Sequence, residues 1–103
     1  MTEYERGHTA RLKATVSDSD DTVTDPDQSG VYLITITITD VTTATVKVSA
    51  TTMTRLSEGI FYYDWETAVT DTIGQYEIEV SAELSGKTIL NRDYINLVEV
   101  SEW

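Results

Sequence analysis

Two stretches in the second half of the chain alternate strictly between apolar and polar residues, and this alternation constrains the fold most. After Gly59 the chain reads I-F-Y-Y-D-W, with three aromatic side chains on one face: Phe61, Tyr63 and Trp65. After Gly74 it reads Q-Y-E-I-E-V-S-A, and its apolar face carries Tyr76, Ile78, Val80 and Ala82. A period of two is typical of a strand with one buried face. The two stretches therefore predict the central strands of a β-sandwich.

Shorter alternating runs predict the remaining strands, at residues 9–17, 31–39, 45–54 and 88–100. In the third run we expect Val46, Val48 and Ala50 to face the core. Its phase changes near residues 50–52, which predicts a bulge or a change of sheet, and the last run slips near 91–93, which predicts a bulge. No segment longer than two turns has a helical period. The sequence thus predicts an all-β sandwich or barrel at residues 9–100, between an arm at 1–8 and a tail at 101–103.

Charge and composition narrow the classes of partner. The chain carries 7 Lys and Arg against 18 Asp and Glu, a net charge of −11, which repels nucleic acid and acidic membranes. Cysteine is absent, which favours folding in a reducing compartment. No apolar run approaches the ~18 residues of a membrane span, and the first residues lack a signal-peptide core. We therefore predict a chain that starts at Met1, folds in the cytosol and has neither nucleic acid nor membrane as a partner.

The sequence lacks the combinations of residues that form common enzyme active sites. His8 is the single histidine, so neither a zinc site nor a Ser-His-Asp triad has its usual members. Glu77 and Glu79 share one face of a predicted strand, where solvated carboxylates are expected. Glycines are scattered at turns, without a phosphate-binding loop. We predict no catalytic residues, no cofactor and no enzymatic activity.

An aspartate-rich segment at residues 18–30 is the candidate metal site. Clustered carboxylates suit Ca²⁺, and the candidate ligands are Asp18, Asp20, Asp21, Asp25 and Asp27. However, the segment lacks the central glycine and terminal glutamate of an EF-hand loop, and Asp is a common turn residue. The prediction is therefore a turn-rich loop without a bound metal.

Partner contacts are predicted outside the aromatic stripe, because aromatic residues on the inner face of a strand form core instead of stacking on sugars. The residues left for contacts are Tyr4, Arg6, His8, Tyr62 and Trp103. The arm has three open interpretations: an edge strand, a contact with a neighbouring chain, or disorder. Trp103 either packs back on the sandwich or anchors a neighbour.

The order of motifs resembles a known class of domains. R-L-K-A-T-V-S-D is followed by D-P, I-T-I-T-D, G-I-F-Y-Y-D-W and G-Q-Y-E-I-E-V-S-A. This order resembles bacterial and archaeal Ig-like domains, and at this length it looks like the small Ig-like structural proteins of tailed-virus head and tail modules. The resemblance implies an Ig-like antiparallel β-sandwich of about seven strands, with Tyr76 as a tyrosine corner whose hydroxyl bonds upstream backbone. Apolar residues hold the positions of the antibody cystine, so antigen-receptor homology is not implied.

The same resemblance implies a structural, non-enzymatic virion protein. The expected roles are a capsid decoration or vertex protein, a head–tail connector subunit or a tail-associated subunit, assembled in the host cytoplasm. Its partners would be other virion proteins and copies of itself. The alternative is a carbohydrate- or surface-binding Ig-like module with contacts around residues 18–27. The first role predicts fixed stoichiometry within an assembly, and the second predicts a soluble ligand.

Overall fold

The computed structural model describes residues 2–99, which contain ten strands and no helix, and hence no helix able to cross a membrane. The strands are β1 (Thr2–Glu5), β2 (Thr9–Thr15), β3 (Gln28–Ser29), β4 (Val31–Tyr32), β5 (Ile34–Asp40), β6 (Thr45–Thr52), β7 (Thr54–Ser57), β8 (Ile60–Glu66), β9 (Gly74–Leu84) and β10 (Lys87–Val98). The prediction of an all-β chain is therefore confirmed.

Two sheets face each other. One has five strands in the order β1-β10-β9-β5-β6, and the other has three in the order β2-β8-β7, while β3 and β4 form a small separate hairpin. Every pairing is antiparallel except that of β1, which runs parallel to β10 with Tyr4 opposite Leu97. The predicted arm therefore contributes an edge strand to the larger sheet.

The core lies between the sheets and follows the alternation of the sequence. Ile34, Ile36 and Ile38 on β5 are fully buried. The predicted central strands β8 and β9 lie in different sheets and face each other, with the rings of Trp65 and Tyr76 edge-on at 5.1 Å. Burial of each large apolar side chain contributes about 1.5–3 kcal/mol, so this interior accounts for most of the driving force for folding.

The phase change predicted near residues 50–52 is confirmed, as a bulge and as a change of sheet. Ala50 has a positive φ of 38°, and the register between β5 and β6 shifts nearby. Buried Met53 then carries the chain from β6 in the larger sheet to β7 in the smaller one. The inward orientation predicted for Val46 and Ala50 is wrong. The shifted register pairs Val46 with outward-facing Thr39 and leaves its side chain 53% exposed.

The bulge predicted near residues 91–93 is also wrong. β10 pairs with β9 in unbroken register from Lys87 opposite Leu84 to Leu97 opposite Gly74. Asn91 and Asp93 occupy the same face as buried Ile95 and Leu97, yet both are exposed. The alternation fails there because this half of the strand has little core above it, which leaves its inner face available to solvent.

Candidate functional site

A groove runs along the side of the molecule where β2 and β10 border the two sheets. Among the described strands, β2 pairs only with β8, and β1 covers β10 only from Ile95 to Val98. Three depressions of about 310, 70 and 420 Å³ follow one another along this side and share lining residues. They form one continuous groove, which we call the β2–β10 groove.

The β2–β10 groove has an apolar floor and a polar rim. The floor consists of Leu12, Ala14, Val16, Ile78, Val80, Ala82, Ile89 and Ile95. The rim consists of Lys13, Thr15, Ser17, Asp18, Lys87, Asn91 and Asp93. An apolar centre surrounded by polar residues is the usual composition of a protein–protein interface.

The open half of β10 is the least covered part of the larger sheet. Its eight residues from Lys87 to Tyr94 are all exposed, on both faces of the strand. They include Ile89 and Leu90, which are 42% and 56% exposed. The main-chain groups along the outer edge of this segment have no neighbouring strand among residues 2–99. An uncovered apolar edge of this kind is a template for the addition of another strand.

The positive charges of the chain are distributed unevenly. Five of the seven Lys and Arg residues form ion pairs within the chain: Arg6–Glu99, Arg11–Asp64, Lys47–Asp71, Arg55–Asp25 and Arg92–Glu79. Within the described part of the chain, Lys13 and Lys87 have no such pair, and both line the β2–β10 groove. The rim also carries Asp18 and Asp93, so the groove is close to neutral in an otherwise acidic protein and repels an acidic segment less than the rest of the surface does.

Of the predicted contact residues that the structure describes, Tyr4 is the one that lines the groove. It stands on β1 opposite Leu97 and packs against the core from the end of the first depression. Arg6 is engaged within the fold, where its guanidinium donates to the main-chain oxygen of Asp71 at 2.9 Å and pairs with Glu99. Both side chains therefore hold the end of β10 in place.

The other predicted contacts are dispersed. His8 is exposed, with Nε2 3.8 Å from the carboxylate of Glu5. Tyr62 lies half-buried on the outer face of the smaller sheet, beneath the guanidinium of Arg11 at 4.1 Å from the ring centre. Trp103 lies outside the described residues. The structure therefore does not bring His8 and Tyr62 together into one patch.

The aspartate-rich loop holds the sandwich together through long-range contacts. The carboxylate of Asp25 accepts a hydrogen bond from the amide of Gly59 at 2.7 Å and forms an ion pair with Arg55 at 3.1 Å. Hydrogen bonds from the Arg55 guanidinium, and then from the Gly59 amide, hold the pKa of Asp25 below its usual value. Asp27 accepts hydrogen bonds from the amides of Ser85 and Gly86 at 3.0 and 2.8 Å.

The remaining candidate ligands do not converge with these two. Asp18 caps its own turn by accepting hydrogen bonds from the amides of Asp20 and Thr22, and Asp20 and Asp21 are exposed. Among residues 2–99, no three His, Cys, Asp or Glu side chains lie close enough together to hold a metal ion. The loop therefore joins distant strands through the side chains of Asp25 and Asp27, and these contacts are called here the clasp.

Sequence reasoning missed the β2–β10 groove. Its two walls come from the first and last long strands, and no pattern within either strand shows that they border a common space. The loss of apolar residues at Asn91 and Asp93 was the available signal, because these positions continue the inward face of β10 without covering core.

Comparison with known proteins adds information about the fold. No family model matches the chain, and no curated protein matches it significantly. Among solved structures, the endo-beta-1,4-mannanase from Thermotoga petrophila is similar, with a TM-score of 0.62, 18% identity and coverage of 96% of this chain. The chain spans 18% of that enzyme's length. At this level of identity the likeness concerns fold alone, and it identifies the chain as a β-domain of a kind that also occurs within a larger protein.

Proposed function

We propose that this chain is a non-enzymatic Ig-like domain that acts as a subunit of a protein assembly. The strand orders β2-β8-β7 and β10-β9-β5-β6 correspond to the B-E-D and G-F-C-C′ orders of an Ig variable-type sandwich. The hydroxyl of Tyr76 donates to the main-chain oxygen of Thr72 at 2.6 Å, as a tyrosine corner requires. Both features support the Ig-like assignment.

The observation that carries the assembly role is the uncovered half of β10. A strand with apolar residues exposed on both faces and a free edge is an aggregation hazard unless a specific partner covers it. An added strand provides hydrogen-bond partners for the main-chain groups along the edge of β10. Its apolar side chains fill the β2–β10 groove. The acidic charge elsewhere keeps unassembled subunits apart.

The setting of the assembly follows from the sequence resemblance to small Ig-like proteins of tailed-virus head and tail modules. Under this proposal the chain is a capsid decoration or vertex protein, a head–tail connector subunit or a tail-associated subunit of a virion. Its partners are copies of itself and other virion proteins, and it assembles in the host cytoplasm. Repetition of one contact around a symmetry axis suits a small rigid domain.

The test is the solution mass of the purified chain at low and at multimolar salt, since salt screens the repulsion between subunits. We expect an assembly of defined stoichiometry at high salt. Ile89→Glu places a charge in the β2–β10 groove and should leave the chain monomeric. Val46→Glu changes a somewhat more exposed residue at the opposite edge of the same sheet, and should assemble normally. Assembly of Ile89→Glu to the wild-type mass would refute the proposed role of the groove.

Carbohydrate binding is the second candidate, and one observation favours it. Tyr94 is 39% exposed on the outer face of the larger sheet, with its hydroxyl donating to Glu77 at 3.1 Å. An aromatic ring beside polar groups is a common way to hold a sugar. Affinity electrophoresis through soluble β-mannan tests it. Retardation that disappears in Tyr94→Ala would favour this function, and unretarded wild-type protein would eliminate it for that sugar.

A further inference from the structure

We propose that the β2–β10 groove of one copy binds the segment that follows β10 in a second copy. This segment, residues 99–103, reads E-V-S-E-W and is called here the tail segment. The proposal rests on the assembly role proposed above and names its partner.

Charge favours the groove over the rest of the surface as the place where an acidic tail binds. The groove contains Lys13 and Lys87, the two cations without an ion pair among residues 2–99, which balance Asp18 and Asp93 on its rim. The tail segment contains Glu102. A carboxylate of the tail that reaches either lysine forms an attractive contact between two chains that otherwise repel each other. The tail segment also contains Trp103, and tryptophan is enriched among the residues that contribute most of the binding energy at interfaces.

The edge of β10 has room for a strand of this length. β1 occupies the edge of β10 only as far back as Ile95, which leaves the stretch from Tyr94 to Lys87 open. A strand of four or five residues covers about half of that stretch. The groove floor beside it is apolar and receives every second side chain of an added strand.

The chain's own tail segment can cover only the nearer end of the open half. The amide of Arg6 donates to the oxygen of Val98 at 2.9 Å, which anchors the end of β10. From Val98, Tyr94 lies back along the strand by roughly 13 Å and Asn91 by roughly 23 Å at ~3.3 Å per residue. The chain from Val98 to Trp103 extends at most about 18 Å, so it does not reach Asn91. The tail segment of a second copy has no such restriction.

The groove and the tail segment are different surfaces of one chain. Their contact closes either as a reciprocal exchange of tail segments about a two-fold axis or as a ring, and both assemblies have a defined mass.

Cross-linking between single-cysteine variants of the full chain tests the proposal, because the chain has no cysteine of its own. Asn91→Cys marks the groove and Ser101→Cys marks the tail segment. Mixed in equal amounts and oxidised, they should form a disulfide-linked heterodimer at least tenfold faster than the control mixture. The control pairs Ser101→Cys with Val46→Cys, which is exposed at the opposite edge of the sheet. Equal rates for the two mixtures would overturn the proposal.

A charge exchange provides the second readout. Lys87→Glu in the Asn91→Cys chain should slow cross-linking several-fold, and Glu102→Lys in the Ser101→Cys chain should restore it. Restoration shows that opposite charges meet, which a merely structural effect of Lys87→Glu does not produce. The two proposals fail differently. Assembly that depends on Ile89 without the selective cross-link rejects the tail segment as occupant and retains the groove as the contact. Assembly independent of Ile89 rejects the groove itself.

Discussion

The hydroxyl of Tyr76 donates a 2.6 Å hydrogen bond to the main-chain oxygen of Thr72, four residues upstream. The ring of Tyr76 is fully buried against Trp65, so the bond joins the core to the loop between β8 and β9. The same loop is held from outside by Asp71, whose carboxylate accepts the amide of Ala68 and pairs with Lys47. The loop is therefore fixed on both sides where β9 begins.

Replacement of Tyr76 by Phe should lower the free energy of unfolding by about 1–2 kcal/mol, because the Thr72 carbonyl loses its partner while the ring remains. Urea denaturation followed by circular dichroism measures the loss. Tyr94→Phe is the matched control, since its hydroxyl donates to Glu77 on an exposed face. Tyr94→Phe should lower the free energy of unfolding by less than Tyr76→Phe does. Equal losses in the two variants would show that burial of the Tyr76 hydrogen bond adds nothing to stability.

Alkaline pH should unfold the protein through the same residue. Burial, assisted by the nearby carboxylates of Asp40 and Asp71, raises the pKa of Tyr76 to about 12. A tyrosine in the unfolded chain ionises near pH 10, so the stabilisation is complete below about pH 10 and is lost as pH rises toward 12. Tyrosinate absorbance should therefore show a late step that coincides with unfolding. Tyr76→Phe should remove that step, whereas its persistence would assign it to another tyrosine.

Gly59 should tolerate no side chain. It has a φ of +72°, and a Cβ there would lie 2.3 Å from Cγ1 of Val23 and 2.9 Å from the main chain of Thr24. Left-handed strain of about 1–2 kcal/mol and overpacking of about 1–3 kcal/mol together predict a loss of roughly 2–5 kcal/mol for Gly59→Ala. Gly30→Ala separates the two effects, because Gly30 has nearly the same φ, +75°, with no atom within 4 Å. Gly30→Ala should lose only the stability that the left-handed strain costs. An equal loss in both variants would refute the clash at Gly59.

Alternation predicted the inward faces wherever a strand lies over the core. Ile34, Ile36 and Ile38 are buried as expected, and so are Phe61 and Trp65. The prediction failed where strand geometry departs from a flat, fully covered sheet. At Val46 the pattern is apolar, but the register shift in β6 turns the side chain outward. A bulge changes which side a residue faces, and sequence period alone does not locate it to within one residue.

The contacts of the aspartate-rich loop and the β2–β10 groove could not be predicted from the sequence, for a different reason. Asp25 and Asp27 were correctly placed in a loop, but their partners lie 30 to 59 residues away, at Arg55, Gly59 and Gly86. The same holds for the groove, whose walls combine Lys13 on β2 with Asn91 on β10. These arrangements depend on which strands become neighbours at the sheet edges. Local patterns report burial along one strand and contain little information about that pairing.

Acid should weaken the clasp at Asp25. Its pKa is lowered by the hydrogen bonds from Arg55 and from the Gly59 amide, whereas an unfolded Asp ionises near pH 3.9. The stabilisation is therefore present above about pH 4 and is lost as pH falls through the lower, folded value. Asp25→Asn should be less stable than the wild type at neutral pH, with a difference that shrinks below pH 4. Asp20→Asn, at an exposed position of the same loop, should follow the wild-type profile. A constant difference for Asp25→Asn at all pH values would argue against the ion pair as its cause.

Calcium should leave the melting temperature unchanged. The carboxylates of Asp25 and Asp27 already accept main-chain amides, and Asp25 also holds Arg55, so a cation would have to displace these partners to bind. Clustered acidic residues in a loop bind Ca²⁺ when several oxygens converge without such internal partners. Thermal unfolding with millimolar CaCl₂ and with excess chelator measures the effect, since a ligand that binds the folded state raises the melting temperature. An increase of several degrees that disappears in Asp25→Asn would instead identify the loop as a calcium site, with the clasp as its metal-free form.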